Sequence, residues 1–228
     1  RPIGAVNCLY RSDEKLLRGT NTDGYAALTS FINLTKKSNY IPKSILIAGL
    51  GGAGKAVASF FSSHFISQGV KLICSSRKEN SDYCESINCE WIPWQEIESQ
   101  LNGIEAFVNC TTIGTGELIN KSPIEISKNS NLKYVYDIVY DPSKTKILQQ
   151  AEINNIPFAN GLEMNLLQAA KAFKLASKSK FDESHIIGGL KVIGERKSQR
   201  ANQVTAKFVN IRKINPTDSL SAESYKED

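Results

Sequence analysis

A chain of 228 residues with 41% hydrophobic and 22% charged residues has the size and composition of one large packed domain or two small ones. Its net charge of +5 is modest and uneven, with eight Lys/Arg against five Asp/Glu in residues 186–228, which does not describe a nucleic-acid binder. No apolar run approaches the roughly 18 residues of a membrane span, and no charged-then-apolar leader is read at the start, so no membrane partner is expected.

The chain opens at Arg1 rather than Met and runs straight into Ile3-Gly4-Ala5-Val6, as a piece of something longer would. Ile3–Tyr10 and Lys15–Gly19 flank the polar Ser12-Asp13-Glu14 and predict a hairpin. Asn21-Thr22-Asp23 is a cap-like start to a helix with Leu28, Phe31 and Ile32 on one face, and Pro42 ends that pattern. From there strand-like and helix-like runs alternate. Strands are expected at Ile45–Ala48, Val70–Cys74, Ala106–Cys110, Tyr134–Val139 and Ile156–Ala159. Helices are expected at Gly54–Phe65, Trp94–Leu101, Thr145–Asn154 and Glu163–Ala176. A β-then-α order of this kind predicts an α/β fold, a doubly wound parallel sheet with helices on both faces. Past about Lys180 the pattern decays: Ile186–Ile193 reads as a strand, while Lys197–Arg200 and Asn215–Asp228 read as solvated tail.

Cysteines stand at 8, 74, 84, 89 and 110 with no C-x-x-C, and His64 and His185 supply no ligand spacing beside them. They read as reduced, packed thiols of a cytoplasmic protein, with no metal site.

Ser44-Ile45-Leu46-Ile47-Ala48 leads directly into Gly49-Leu50-Gly51-Gly52-Ala53-Gly54, and a helix follows. Strand, G-x-G-x-x-G and helix in that order form the Rossmann-type dinucleotide fingerprint: glycines let backbone N–H groups approach a pyrophosphate at a helix N-terminus. Gly49 to Lys55 also fits the start of a nucleoside-triphosphate loop, but the next residue is Ala56, which has no hydroxyl for Mg²⁺. The second strand ends Cys74-Ser75-Ser76-Arg77-Lys78, with no carboxylate for a ribose 2′-OH before Glu79. Two cations at that point suit a 2′-phosphate and favour NADP over NAD, although Arg77 and Lys78 also suit ordinary surface charge.

Several segments then resemble, in order and spacing, the shikimate dehydrogenase family: Gly4-Ala5-Val6-Asn7, Gly19-Thr20-Asn21-Thr22-Asp23-Gly24, the glycine loop, Asn109-Cys110-Thr111-Thr112-Ile113-Gly114, Tyr136-Asp137-Ile138-Val139-Tyr140, and Gly161-Leu162-Glu163-Met164-Asn165-Leu166-Leu167-Gln168 with Ala172-Phe173. The resemblance covers about residues 3 to 180. It implies reversible reduction of 3-dehydroshikimate to shikimate with NADPH, in aromatic amino-acid biosynthesis. Implied substrate contacts are Asn7, Asp23, Tyr140 and Gln168, with Asp23 also catalytic. Implied cofactor contacts are Gly49, Leu50, Gly51, Gly52, Ala53, Ser76, Arg77, Lys78, Ser81, Ile138 and Gly161. Asp23 also suits a helix cap, and Gln168 also suits a solvent-facing position.

Two departures stand out. The family's catalytic lysine, and the hydroxyls that grip the substrate carboxylate, lie upstream of Gly4-Ala5-Val6-Asn7 and outside this chain; Lys15 lies past the matching region and does not replace that lysine. Cys8 stands where the family often has Thr. The implied organisation is a partial second α/β substrate domain from residues 1–23 and 161–185, an NADP-binding domain at 24–160, and a tail of unknown role at 186–228. Also compatible are a non-catalytic NADP-binding remnant or a quinate/shikimate dehydrogenase of mixed specificity. No nucleic-acid partner is expected, and the oligomer expected is a monomer or a homodimer.

Overall fold

In a computed structural model, residues 3–127, 130–178 and 180–200 are described. The chain begins with an antiparallel hairpin, β1 (Cys8–Arg11) and β2 (Leu17–Thr20), which pairs Cys8 with Thr20. Its turn is closed by Ser12 N–H donating to the Leu16 carbonyl at 2.9 Å. Helix α1 (Asp23–Lys36) starts where Asn21 Oδ1 accepts the Asp23 and Gly24 backbone N–H groups at 2.9 and 3.3 Å. Asn21 is therefore the residue whose side chain caps this helix, and Asp23 is not.

Next come β3 (Ser44–Ala48), α2 (Gly52–Phe65), β4 (Lys71–Ser76), the short α3 (Ser81–Ser86) and β5 (Glu90–Pro93). Helix α4 (Ile97–Gln100) lies between two 3₁₀ turns, so the helix expected over Trp94–Leu101 is broken into short pieces. After it follow β6 (Ala106–Asn109), β7 (Tyr134–Asp137), α5 (Lys146–Ile153), β8 (Phe158–Ala159) and α6 (Leu162–Ser177). The strand β5 was not anticipated. Its four residues sit at the sheet edge beside β4, and their pattern is too short for periodicity to reveal.

The main sheet has six parallel strands in the order β5-β4-β3-β6-β7-β8. Every residue of β3, β6 and β7 is buried, because helices cover both faces and leave no strand position for water. One layer of core places Phe31 of α1 against Phe61 and Phe65 of α2, with ring centroids 5.1 and 5.8 Å apart, and against Tyr134 and Tyr136 of β7. The other layer gathers Leu46, Phe107, Val135, Ile97, Ile147 and Leu148. Chain order reverses between β3 and β6, which opens a crevice at the carboxyl ends of those strands.

The strand expected at Ile186–Ile193 is not formed. A helix, α7 (Glu183–Arg200), covers those residues. Asp182 nucleates it: Asp182 Oδ1 accepts the His185 N–H at 2.9 Å, and its carbonyl accepts that of Ile186 at 3.2 Å. Hydropathy alone favours a strand there, and the Asp182 cap before it decides for a helix. The tail expected at Lys197–Arg200 is helical in backbone, and Asn215–Asp228 lies outside the described residues. Among the described residues, those up to Ile187 form one compact unit and those from Gly188 belong to a second. Among the described residues, no helix is long and apolar enough to cross a membrane.

Candidate active site

The glycine loop sits between β3 and α2 at the crevice. Gly49 has φ +99°, and a Cβ there would lie 2.8 Å from the Thr111 methyl and 2.9 Å from the Cys110 carbonyl. A Cβ on Gly54 would lie 1.8 Å from the Gly49 carbonyl oxygen. These two glycines are demanded by backbone packing and bring the start of α2 hard against β3. Gly51 and Gly52 differ: nothing lies within 4 Å of a Cβ on Gly51, and only the Ala5 methyl, at 3.6 Å, approaches one on Gly52. Open space therefore stands beside Gly51 and Gly52 at the α2 N-terminus, whose first backbone N–H groups have no partner within the helix. Leu50 turns inward and is buried, as is Ala56, the position at which a triphosphate-binding loop would need a hydroxyl. Gly54→Ala is expected to cost roughly 1–3 kcal/mol by overpacking. That corresponds to about 2–10 °C in melting temperature by circular dichroism. An unchanged transition would show that the α2 start has slack.

At the end of β4, Ser76 is buried and its hydroxyl is saturated. It donates to the Lys78 carbonyl at 2.6 Å and accepts from Asn80 Nδ2 at 3.1 Å and Trp91 Nε1 at 3.0 Å. Ser76 thus shapes the loop. Arg77 and Lys78 are exposed and, among the described residues, neither side chain makes a hydrogen bond or an ion pair. Two unpaired cations on a shaped loop are available to an anion. Ser81 donates to Glu79 at 2.9 Å and starts α3.

Across the reversal, β6 and β7 end side by side, with Asn109 paired in register with Asp137. Both are fully buried. Asp137 accepts from Asn109 Nδ2 at 3.0 Å, from the Val139 N–H at 3.0 Å and from Thr145 Oγ1 at 2.6 Å. Asn109 Oδ1 in turn accepts the Thr111 N–H at 3.1 Å and its hydroxyl at 2.7 Å. One buried network therefore pins both loops beyond the strands. Burial pushes the Asp137 carboxyl up to about 6, while its three donors pull the other way. Burial also pushes the Cys110 thiol well up. Ile138 follows Asp137, and its carbonyl carbon and oxygen leave no room for a Cβ on Gly161, the nearer lying 1.9 Å away. Gly161 donates to the Val139 carbonyl at 2.9 Å and starts α6. Ile138 and Gly161 are thus brought into contact from segments far apart in sequence.

The structure joins Asn7 and Asp23. Asn7 Nδ2 donates to Asp23 Oδ1 at 2.7 Å and to Thr22 Oγ1 at 3.0 Å, and Asn7 Oδ1 accepts the Thr22 N–H at 2.9 Å. Asp23 is half-buried, and burial raises its carboxyl above the ordinary 3.8, with Asn7 opposing the shift. Gly24 lets α1 cross α2 closely, since a Cβ there would meet Phe60 at 2.4 Å and the Ala56 carbonyl at 2.6 Å. Helix α6 is tied to α1 through Glu163, which accepts from Ser30 and Asn33 at 3.0 Å each. No hydrogen bond joins Tyr140 or Gln168 to the Asn7–Asp23 pair. Tyr140 is half-exposed, and Gln168 donates to Asn165 at 3.1 Å on its own helix. Cys8, in the place of the family's Thr, is buried with its sulfur 4.0 Å from the Ala172 carbonyl. All five cysteines are free, and no metal-holding cluster occurs among the described residues. Asn109, Asp137 and Glu163 lie in segments that carry the family resemblance, but the resemblance implies no site role for them, and their pairing appears only in the fold.

No family model matches the chain. It is 29% identical over 192 residues to the shikimate dehydrogenase (NADP(+)) of Caldanaerobacter subterraneus subsp. tengcongensis, covering 81% of this chain and 66% of that protein. It is 33% identical to the enzyme of the same name from Dictyoglomus thermophilum, covering 73% and 60%. Among solved structures it resembles the shikimate 5-dehydrogenase of Listeria monocytogenes in complex with shikimate and NAD, at 29% identity and TM-score 0.63, covering 82% of this chain and 68% of that one. It also resembles a chorismate mutase/shikimate 5-dehydrogenase fusion protein from Clostridium acetobutylicum, at 25% identity and TM-score 0.65, covering 86% and 68%. The chain spans 60% to 66% of the length of the first three curated relatives it matches. Over most of its length the chain is thus similar in sequence and in fold to shikimate dehydrogenases.

Proposed function

We propose that this chain is the cofactor-binding part, with a portion of the substrate-binding part, of an NADP-dependent oxidoreductase that interconverts 3-dehydroshikimate and shikimate. The observation that carries the reading is the cradle of Gly49, Gly51 and Gly54 with unpaired Arg77 and Lys78 at the next strand end. Curated relatives bear the name shikimate dehydrogenase (NADP(+)), and solved relatives hold NADP and shikimate.

In this reading, N–H groups of Gly51, Gly52 and Ala53 and the α2 N-terminus hold the pyrophosphate. Arg77 and Lys78 meet the 2′-phosphate, and Ser76 and Ser81 shape their loop. Ile138 and Gly161 border the nicotinamide half. The cofactor, when bound, supplies or accepts the hydride. Asn7, Asp23, Tyr140 and Gln168 satisfy the hydroxyls of the substrate. Asp23 takes the proton from the reacting hydroxyl in the oxidative direction and returns it in the reductive one, sharing this task with a lysine that the family carries upstream of Gly4. Residues 1–23 and 161–185 serve the substrate and 24–160 the cofactor.

A charge-assisted hydrogen bond from Arg77 to the 2′-phosphate contributes roughly 1.5–3 kcal/mol. Arg77→Ala is accordingly expected to weaken NADPH binding about 10- to 100-fold, while NADH binding barely changes. Fluorescence titration of both cofactors checks this. Equal losses for the two would remove the 2′-phosphate from Arg77.

A further inference from the structure

Asp137 is fully buried, and every partner it has is neutral: Asn109, the Val139 backbone and Thr145. No lysine, arginine or histidine pairs with it among the described residues. A buried carboxylate held only by neutral donors keeps a field that nothing nearby cancels, and holding it there is costly. A structural crosslink between two loops does not need that charge. A site that must tell charge states apart does.

The sheet order says where the field falls. In the proposed reading the 2′-phosphate end of the dinucleotide meets Arg77 at the end of β4 and its pyrophosphate meets the glycine loop after β3, the neighbouring strand. The remaining half must run on toward β6 and β7, over the strand ends that Asn109 and Asp137 close. The nicotinamide ring carries a formal positive charge when oxidised and none when reduced. Resting on the proposed cofactor reading, we infer that Asp137 sets the preference of this site between the two redox forms of the cofactor, its carboxylate favouring NADP⁺ over NADPH. Asn109 and Thr145 orient it and are positioning residues.

The test measures dissociation constants of NADP⁺ and of NADPH for the chain at pH 7.5, and again for Asp137→Asn and Thr145→Val. Loss of the attraction between a carboxylate and a ring cation should raise the ratio Kd(NADP⁺)/Kd(NADPH) by about five- to thirtyfold in Asp137→Asn. Thr145→Val removes a donor that holds the carboxylate charged, so the ratio should rise in the same direction by a smaller factor than in Asp137→Asn. Should Asp137→Asn not fold, the unaltered chain supplies the same test through pH. The carboxyl gains its proton as pH falls through about 6, so the ratio should rise between pH 8 and pH 5.5. The 2′-phosphate titrates in the same window but is common to both cofactors and cancels in the ratio. The neighbouring Cys110 and Tyr136 are held protonated by burial, and Glu163 faces Tyr136. A ratio unmoved by substitution or by pH would overturn the assignment. Failure of the unaltered chain to bind either cofactor would instead overturn the proposed function itself.

Discussion

Purified residues 1–228 are expected to bind NADPH and yet to show at most trace oxidation of shikimate with NADP⁺. Binding and chemistry draw on different parts of the molecule. The start of α2 packs against Cys110 and Thr111, Ser76 shapes the Arg77–Lys78 loop, and Asn109 joins the ends of β6 and β7. On the substrate side only Asn7 and Asp23 are joined, and Tyr140 and Gln168 stand without a hydrogen bond to them. A carbonyl reduction run without one member of its acid–base pair loses typically 10²–10⁴-fold in rate. Fusing ahead of Arg1 the lysine-bearing segment that the family carries there should restore turnover by orders of magnitude. Paired measurements of NADPH affinity and of the initial rate at 340 nm decide the matter. Brisk oxidation by residues 1–228 alone would make that lysine dispensable and sink the assignment of roles at its centre.

In such an extended, active version, Asp23→Asn should lower kcat by about 100-fold or more. NADPH affinity should stay unchanged, since Asp23 belongs to the Asn7 cluster and not to the glycine cradle. Fold stability should hardly move, because Asn21 and not Asp23 carries the bonds that cap α1. The pH profile supplies a second readout. Burial raises the Asp23 carboxyl above 3.8, so the group gains its proton, and the base form is lost, at a pH higher than for an exposed aspartate. The acidic limb of kcat/KM should therefore lie above that value and vanish in the Asn variant. If kcat stays within about threefold, Asp23 has no part in the proton transfer.

Much of the architecture was already legible along the chain. The buried run Ile45–Ala48, the glycines at 49, 51 and 54 and the apolar spacing of Val57, Phe61 and Phe65 each follow from local rules: full burial, a turn that only glycine can make, and a helical face. The cation pair after β4 was legible for the same reason, as an interval that lacks a carboxylate. Local rules failed where a short cap or an edge position outweighed hydropathy. Asp182 made a helix of Ile186–Ile193, and β5 became a strand by pairing with β4.

Tertiary structure alone decided which distant residues meet. Asn109 and Asp137 are 28 positions apart, each a polar residue inside an expected strand, and nothing in the linear order pairs them. Parallel pairing of β6 with β7 sets them side by side, and burial then gives one carboxyl its unusual proton affinity. In the same way Gly161 needs no side chain only because the Ile138 carbonyl occupies that space, and Asp23 is released from capping only because Asn21 performs it. Period and composition are properties of neighbouring residues and survive in the linear order. Register, close backbone approach and desolvation depend on segments joined by the fold, and the linear order does not contain them.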